Sequence, residues 1–286
     1  MNRSRRGIVV ARRVGLVLIS FLLVSCASRT SIDDAFVLVA HRGASHLAPE
    51  NTLAAFDLSW QLGADLIEGD FYLSTDGVVV THHDGTTKRT AGVDLHVESQ
   101  TLAELKALDV GTWKDPKWAQ ERIPTLEEVL DSVPQNKQIL IEIKSDARIM
   151  VPLVAVIESS DLSPDQMVVI CFNEDVLELV KKSMPHIKTL WLSSFEQGDD
   201  GKWTPTAEEI IATAMRINAD GVHLKANPEV IDRVFVAKLR HADLEFHVWT
   251  VDDPELARTM LRLGADSITT NRPGWLREQL RNRTRR

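Results

Sequence analysis

The sequence predicts an α/β protein built as a (β/α)8 barrel, with a hairpin and an inserted segment after the second strand. Three observations carry that expectation. Short β-rich runs alternate with helical patterns from about residue 36 onward. Most of those runs are continuously apolar, as strands buried on both faces are. Eight of them remain once one tight fold-back is set aside. At 286 residues the chain could hold two domains, but a barrel of this kind fills that length as one. The alternation also allows an open doubly wound sheet. No glycine-rich phosphate fingerprint follows the first strand, which disfavours a nucleotide-binding version of it.

The first strand is expected at 36–41, followed by the loop RGASHLAPE and a helix opening near Asn51-Thr52. The second lies at 66–70, within DLIEGDFYLSTDGVVVTHHD. Residues 78–82 must return as an antiparallel hairpin around Asp76-Gly77, because the tip is far too short for a parallel crossover. Residues 85–134 break the alternation with a helix at 101–108, a Trp-rich polar connector and a helix starting at Thr125. Thr125 and Glu128 have the spacing of a capping box. Strands then fall at 138–143, 167–172, 188–192, 221–224, 245–250 and 266–270. Helices are expected between them at 149–158, 175–184, 207–217, 229–241 and 254–263.

Outside the barrel, assigned to 35–280, the ends read differently. Residues 1–14 carry five arginines and no acid, and 15–24 form an apolar run too short for a comfortable membrane span. That is the shape of a secretory signal, here 1–25. Its end, Leu23-Val24-Ser25-Cys26, resembles the lipobox of bacterial lipoproteins, and Ser4-Arg5-Arg6 faintly resembles a twin-arginine signal. The first resemblance implies that Cys26 is lipidated and heads the mature chain, with 26–34 as a tether. The protein would then be exported and anchored to a bacterial membrane, the outer one favoured by Ala27 after the cysteine. An uncleaved anchor would also tether the domain. Cys171 is left without a partner, so no disulfide is expected, and its MVVICF setting is that of a buried small residue.

Loss of 1–25 leaves 28 basic against 41 acidic residues, a net charge near −13. Nucleic acid is an unsuitable partner for such a surface. Nothing points to an obligate protein partner. The basic tail, 281–286, reads as a solvated end or a contact for anionic headgroups.

The chemistry gathers where a barrel keeps it, at the C-terminal ends of the strands. Glu68 and Asp70 are two apart on one strand and so share a face. Like charges aimed at one spot repel unless a cation lies between them. The bland alternative is a wet antiparallel face, but Ala64, Leu66 and Ile67 just before them suit a buried strand. Glu142 offers a third carboxylate, and ligation by oxygen alone suits Ca²⁺ or Mg²⁺ better than zinc or copper. Lys144 and Arg42 add cations that fit a phosphate. His41 and one of His82 and His83 could move protons. Together these residues specify phosphodiester cleavage.

Five stretches resemble the glycerophosphodiester phosphodiesterase family, a metal-dependent TIM-barrel group. They are HRGASHLAPENT from His41, GADLIEGDFYLSTDGVVVTHHD from Gly63, LDVGTWKDPKWAQERIPTLEEVL from Leu108, LIEIK from Leu140 and VWTVDD from Val248. The resemblance implies that His41 and His83 are the general acid and base. It makes Glu68, Asp70 and Glu142 the metal ligands, Arg42 and Lys144 the phosphate contacts and Trp249 a pocket wall. It also makes 85–134 the family's inserted segment over a glycerol pocket. The implied reaction turns small-molecule glycerophosphodiesters into glycerol 3-phosphate and an alcohol.

Four positions stand apart from that pattern. Asn271 stands where the family often has aspartate before proline, and Cys171 where serine is frequent; neither is expected to touch the metal or the acid/base pair. His82 is expected to face outward, and His46 to lie on the surface. Two other functions fit parts of the pattern. One is a lysophospholipase D-type phosphodiesterase acting on membrane lysophospholipids, and the other a tethered binding protein, which would have no use for two proton-transfer residues.

Overall fold

The computed structural model describes residues 36–282; the expected signal, the tether with Cys26 and most of the basic tail lie outside them. Eight parallel strands close into a ring. In chain order the strands are β1 (Val37–Ala40), β2 (Leu66–Leu73), β3 (Val79–Thr81), β4 (Gln138–Ile143), β5 (Met167–Cys171), β6 (Lys188–Ser193), β7 (Glu196–Gln197), β8 (Trp203–Thr204), β9 (Gly221–Lys225), β10 (Glu245–Trp249) and β11 (Ser267–Thr270). The ring runs β1-β2-β4-β5-β6-β9-β10-β11, and β1 pairs with both β2 and β11 to seal it. Strand β3 is the anticipated fold-back, antiparallel to β2 with Phe71 opposite Thr81. The closed ring is the (β/α)8 barrel expected from the alternation.

The α-helices of the described residues are α1 (Leu53–Gln61), α2 (Lys88–Ala91), α3 (Leu102–Lys106), α4 (Leu126–Asp131), α5 (Met150–Ser159), α6 (Glu174–Ser183), α7 (Ala207–Arg216), α8 (Arg233–His241), α9 (Pro254–Leu263) and α10 (Pro273–Asn282). Seven of them, α1, α3, α4 and α6–α9, start where a side chain satisfies otherwise orphaned N–H groups. Thr52 caps α1, and full capping boxes open α3, α4 and α7. Helix α8 begins four residues later than its apolar pattern suggests, because Asp232 supplies the cap at Phe235 N–H. The short β7–β8 hairpin and α10 were not expected from the alternation.

Two apolar layers hold the barrel. Outward side chains of the strands pack against the helices in the main core, which includes Leu126, Val129 and Leu130 of α4. Inward ones, among them Val39, Leu66, Leu140, Ile170 and Leu192, fill the barrel itself. The inserted segment has a small core of its own, built by Val80, Val97, Leu105, Val110 and Ile123. The segment thus packs onto β3 through Val80, while α4 belongs to the barrel core. Among the described residues no helix is long and apolar enough to cross a membrane.

Candidate active site

Parallel register brings the acidic residues together. Asp70 on β2 lies opposite Glu142 on β4, and Glu68 shares the inward face two residues earlier. One carboxylate oxygen from each lies within 4.8 Å of the others, and all three residues are buried. Glu68 Oε1 and Asp70 Oδ1 have no hydrogen-bond partner. Burial, then Asp70 and Glu142, pushes Glu68 well above the usual carboxylate range. Burial and Asp70 likewise push Glu142 up to about 7 despite Lys144. Bare buried oxygens and crowded like charges are the condition a hard divalent ion relieves, so these residues fit one.

Cations frame the cluster. Lys144 Nζ donates to Glu142 Oε1 at 2.7 Å and lies 3.5 Å from Asp70 Oδ1. Burial would lower this ammonium, but Asp70 and Glu142 outweigh it and hold it charged. The backbone turns sharply after β1, with Arg42 at φ 54° and Gly43 at φ 78°. That turn aims the Arg42 N–H at Glu68 Oε2 (2.8 Å) and sets its Nε 3.2 Å from Asp70 Oδ2. Gly43 is required twice over: a Cβ there would lie 2.6 Å from the Ala55 backbone, and its φ is left-handed.

The two imidazoles have different partners. His41 Nδ1 lies 2.8 Å from Asn271 Oδ1, whereas His83 Nδ1 lies 2.7 Å from Asp84 Oδ1. Burial and the neighbouring Arg42 push His41 down to about 4. Asp84 is held below its usual range: burial would raise it, but hydrogen bonds from Arg89 and His83 prevail. The expectation that Asn271 stays clear of the acid/base pair is therefore corrected. Ala40 pairs with Thr270 across β1–β11, so the next residues on each strand meet. His82 also departs from expectation. It is buried toward the inserted segment, with Nε2 3.2 Å from Thr86 O, instead of facing outward. His46 is exposed, as anticipated.

His41, Arg42, Glu68, His83, Glu142 and Lys144 line one side of a cavity of about 190 Å³. Ile170, Phe172, Leu192 and Trp249 form the apolar side, where Trp249 and Phe172 pack edge to face at 5.6 Å. All eight residues singled out in the sequence sit together, seven lining the cavity and Asp70 beneath it.

Several contributors were not singled out. Asn51 grips Asp70 twice, donating Nδ2–H to Oδ2 at 2.8 Å and accepting the Asp70 N–H. Glu50 accepts from Arg42 and Arg89. Their carboxylate–guanidinium contacts hold Glu50 at about 2 against the upward push of burial. His223 donates or accepts at Thr269 Oγ1 on the cavity floor, and burial keeps it neutral. Only the polar triplet Glu50-Asn51-Thr52 carried a local signal, lying just ahead of a helix.

A small cavity with carboxylates crowded on one wall, fixed cations around them and two imidazoles at its edge serves the hydrolysis of a phosphoric diester. Comparison with known proteins agrees. The profile of the glycerophosphoryl diester phosphodiesterase family matches residues 41–275. A glycerophosphodiester phosphodiesterase of Caldanaerobacter subterraneus subsp. tengcongensis is 34% identical over 246 residues, covering 83% of this chain and 94% of that one. One from Bacillus subtilis is 28% identical over 280 residues, 91% and 93% of the two chains. A phosphodiesterase of Oleispira antarctica, solved with its product sn-glycerol-3-phosphate, superposes with a TM-score of 0.76 at 28% identity, over 85% of this chain and 96% of that one. The chain belongs to the glycerophosphoryl diester phosphodiesterase family and is a phosphoric diester hydrolase of that kind.

Proposed function

We propose that this enzyme hydrolyses water-soluble glycerophosphodiesters to glycerol 3-phosphate and an alcohol, with a divalent cation at Glu68, Asp70 and Glu142 and two histidines moving the protons. The carboxylate cluster with its bare buried oxygens is the observation that carries this reading. A Ca²⁺ or Mg²⁺ ion held there supplies Lewis-acid neutralisation of phosphate charge. Arg42 and Lys144 bind the phosphate oxygens and orient phosphorus over the cavity floor. One imidazole takes the proton of the attacking hydroxyl as its oxygen bonds to phosphorus; that hydroxyl is either water itself or the glycerol's, whose cyclic phosphate a water then opens to glycerol 3-phosphate. The other gives a proton to the alcohol oxygen as the old P–O bond breaks. Trp249 and Phe172 present an apolar wall to the carbon skeleton. The test is release of glycerol 3-phosphate from glycerophosphocholine, expected to be lost in EDTA and restored by Ca²⁺ or Mg²⁺. Release that continues unchanged in EDTA sinks the cation.

A second reading, a lysophospholipase D-type activity, draws support from exposed apolar side chains on the strand-end side: Leu47, Trp113 and Phe172. Membrane tethering through a lipidated Cys26 would place the domain beside such lipids. Turnover of lysophosphatidylcholine without turnover of glycerophosphocholine would favour it. Export is tested by labelling with a radioactive fatty acid, which should depend on Cys26.

A further inference from the structure

Behind His41 lies a chain of hydrogen bonds that phosphate binding does not require. Asp252 Oδ2 accepts from Asn271 Nδ2 at 2.7 Å, and Oδ1 accepts from the Asn271 backbone N–H at 2.8 Å and from Thr270 Oγ1 at 2.7 Å. On the other side of the amide, Ser45 Oγ donates to Asn271 Oδ1 at 3.0 Å, beside His41 Nδ1.

These partners fix which way the amide points. A carboxylate oxygen only accepts, so the amide NH₂ must face Asp252 and the amide oxygen must face His41. That oxygen can only accept in turn. His41 Nδ1 therefore carries the hydrogen, and in a neutral ring Nε2 is left bare for the cavity that His41 lines. His83 is set differently: its Nδ1 faces the charged Asp84 carboxylate, whereas His41 Nδ1 faces a neutral amide. The charged or titratable groups that act on His41 are Arg42, Asp70 on β2, His83 beyond β3 and His223 on β9. Burial and Arg42, the two largest influences, both favour the neutral ring.

We propose that Asn271, braced by Asp252, is a positioning residue that locks His41 as the Nδ1–H tautomer, making His41 the proton acceptor and His83 the proton donor. This rests on the two-histidine reading above and assigns its direction. His41 Nε2 takes the proton of the attacking hydroxyl as the new P–O bond forms. His83 passes its Nε2 proton to the departing alcohol oxygen as the other P–O bond breaks. The charged His41 and neutral His83 then exchange protons with water to reset.

The direction is tested with leaving groups. Glycerophosphocholine needs a proton on its departing choline oxygen, whereas a glycerophospho-p-nitrophenyl ester does not. His83→Gln should be slow on the first and recover most of its loss on the second, while His41→Gln stays slow on both. The opposite pattern, or no difference between the variants, overturns the assignment. If either variant is as fast as the parent on glycerophosphocholine, the two-histidine reading itself has failed.

The positioning role is tested separately. In the cation-free protein at neutral pH, ¹⁵N correlation spectra should show His41 as the Nδ1–H tautomer; an Nε2–H ring or an imidazolium overturns the proposal. With the cation saturating at every pH, Asn271→Asp places a carboxylate against Nδ1 and should move the acidic limb of the kcat/KM profile upward by about one pH unit or more. KM should change little. An unmoved limb in a folded variant overturns Asn271's role, and the spectrum of the unaltered protein decides should the variant not fold.

Discussion

Arg89 holds both oxygens of Glu50, at 2.8 Å each, across 39 residues of chain. Its Nε donates to Asp84 at 2.7 Å, and Asp84 in turn carries His83. Glu50 passes the contact on to Arg42, and Arg42 to Asp70. One side chain of α2 thus ties the inserted segment to a proposed acid/base residue and to the proposed phosphate contact Arg42.

Replacing that guanidinium should cost activity without unfolding the barrel. Arg89→Ala is expected to lower kcat roughly ten- to hundredfold, the worth of one or two charge-assisted hydrogen bonds. Arg89→Lys should recover little, since an ammonium cannot span Glu50 and Asp84 together. Steady-state kinetics beside a circular-dichroism melt would check this. An unchanged kcat would show the network to be decorative.

Cation binding should weaken in acid. Glu142 is raised to about 7 and Glu68 is raised as well, so below neutrality a cation must displace protons from its own ligands. Affinity should fall as pH drops from 7 toward 5, with proton release on binding. Calorimetry in two buffers of different ionisation enthalpy measures that release, and none at pH 6 would contradict the cluster's protonation.

The same group governs stability without the cation. Glu142's folded value of about 7 exceeds its ordinary 4.5, so the folded chain keeps a proton that the unfolded chain gives up between those values. Stability from this group is full below about pH 4.5 and is lost as pH rises through 7, by up to about 3 kcal/mol. Glu142→Gln should flatten that fall in EDTA while abolishing most turnover. Thermal melts at pH 5 and pH 8 decide it.

Gly43→Ala should be among the most damaging small changes. Its φ of 78° and the 2.6 Å approach of a new Cβ to Ala55 leave no strain-free position. A loss of about 2–4 kcal/mol is expected. Activity should fall beyond what instability explains, because the turn also aims the Arg42 N–H at Glu68.

Much of the site was readable because strands impose a strict period. Alternation set Glu68 with Asp70 and Glu142 with Lys144, and the short tip forced β3 to fold back. Arg89 had no such signal, since its meaning depends on Glu50 and Asp84 arriving at the same place. Asn271 was visible as a departure from a familiar motif, yet its consequence was hidden. The β7–β8 hairpin is too short, at two residues a strand, to leave a periodic trace.

The amino-acid order alone determined the alternating elements, their inward faces and the residue types gathered at the strand ends, because those depend on local geometry with a period of two or 3.6. Closure of the ring decided the rest. It laid β11 against β1, so that an asparagine near the C-terminus became the hydrogen-bond partner of a histidine near the first strand. Contacts between residues 230 positions apart arise only when the whole core has packed, and no local pattern encodes them.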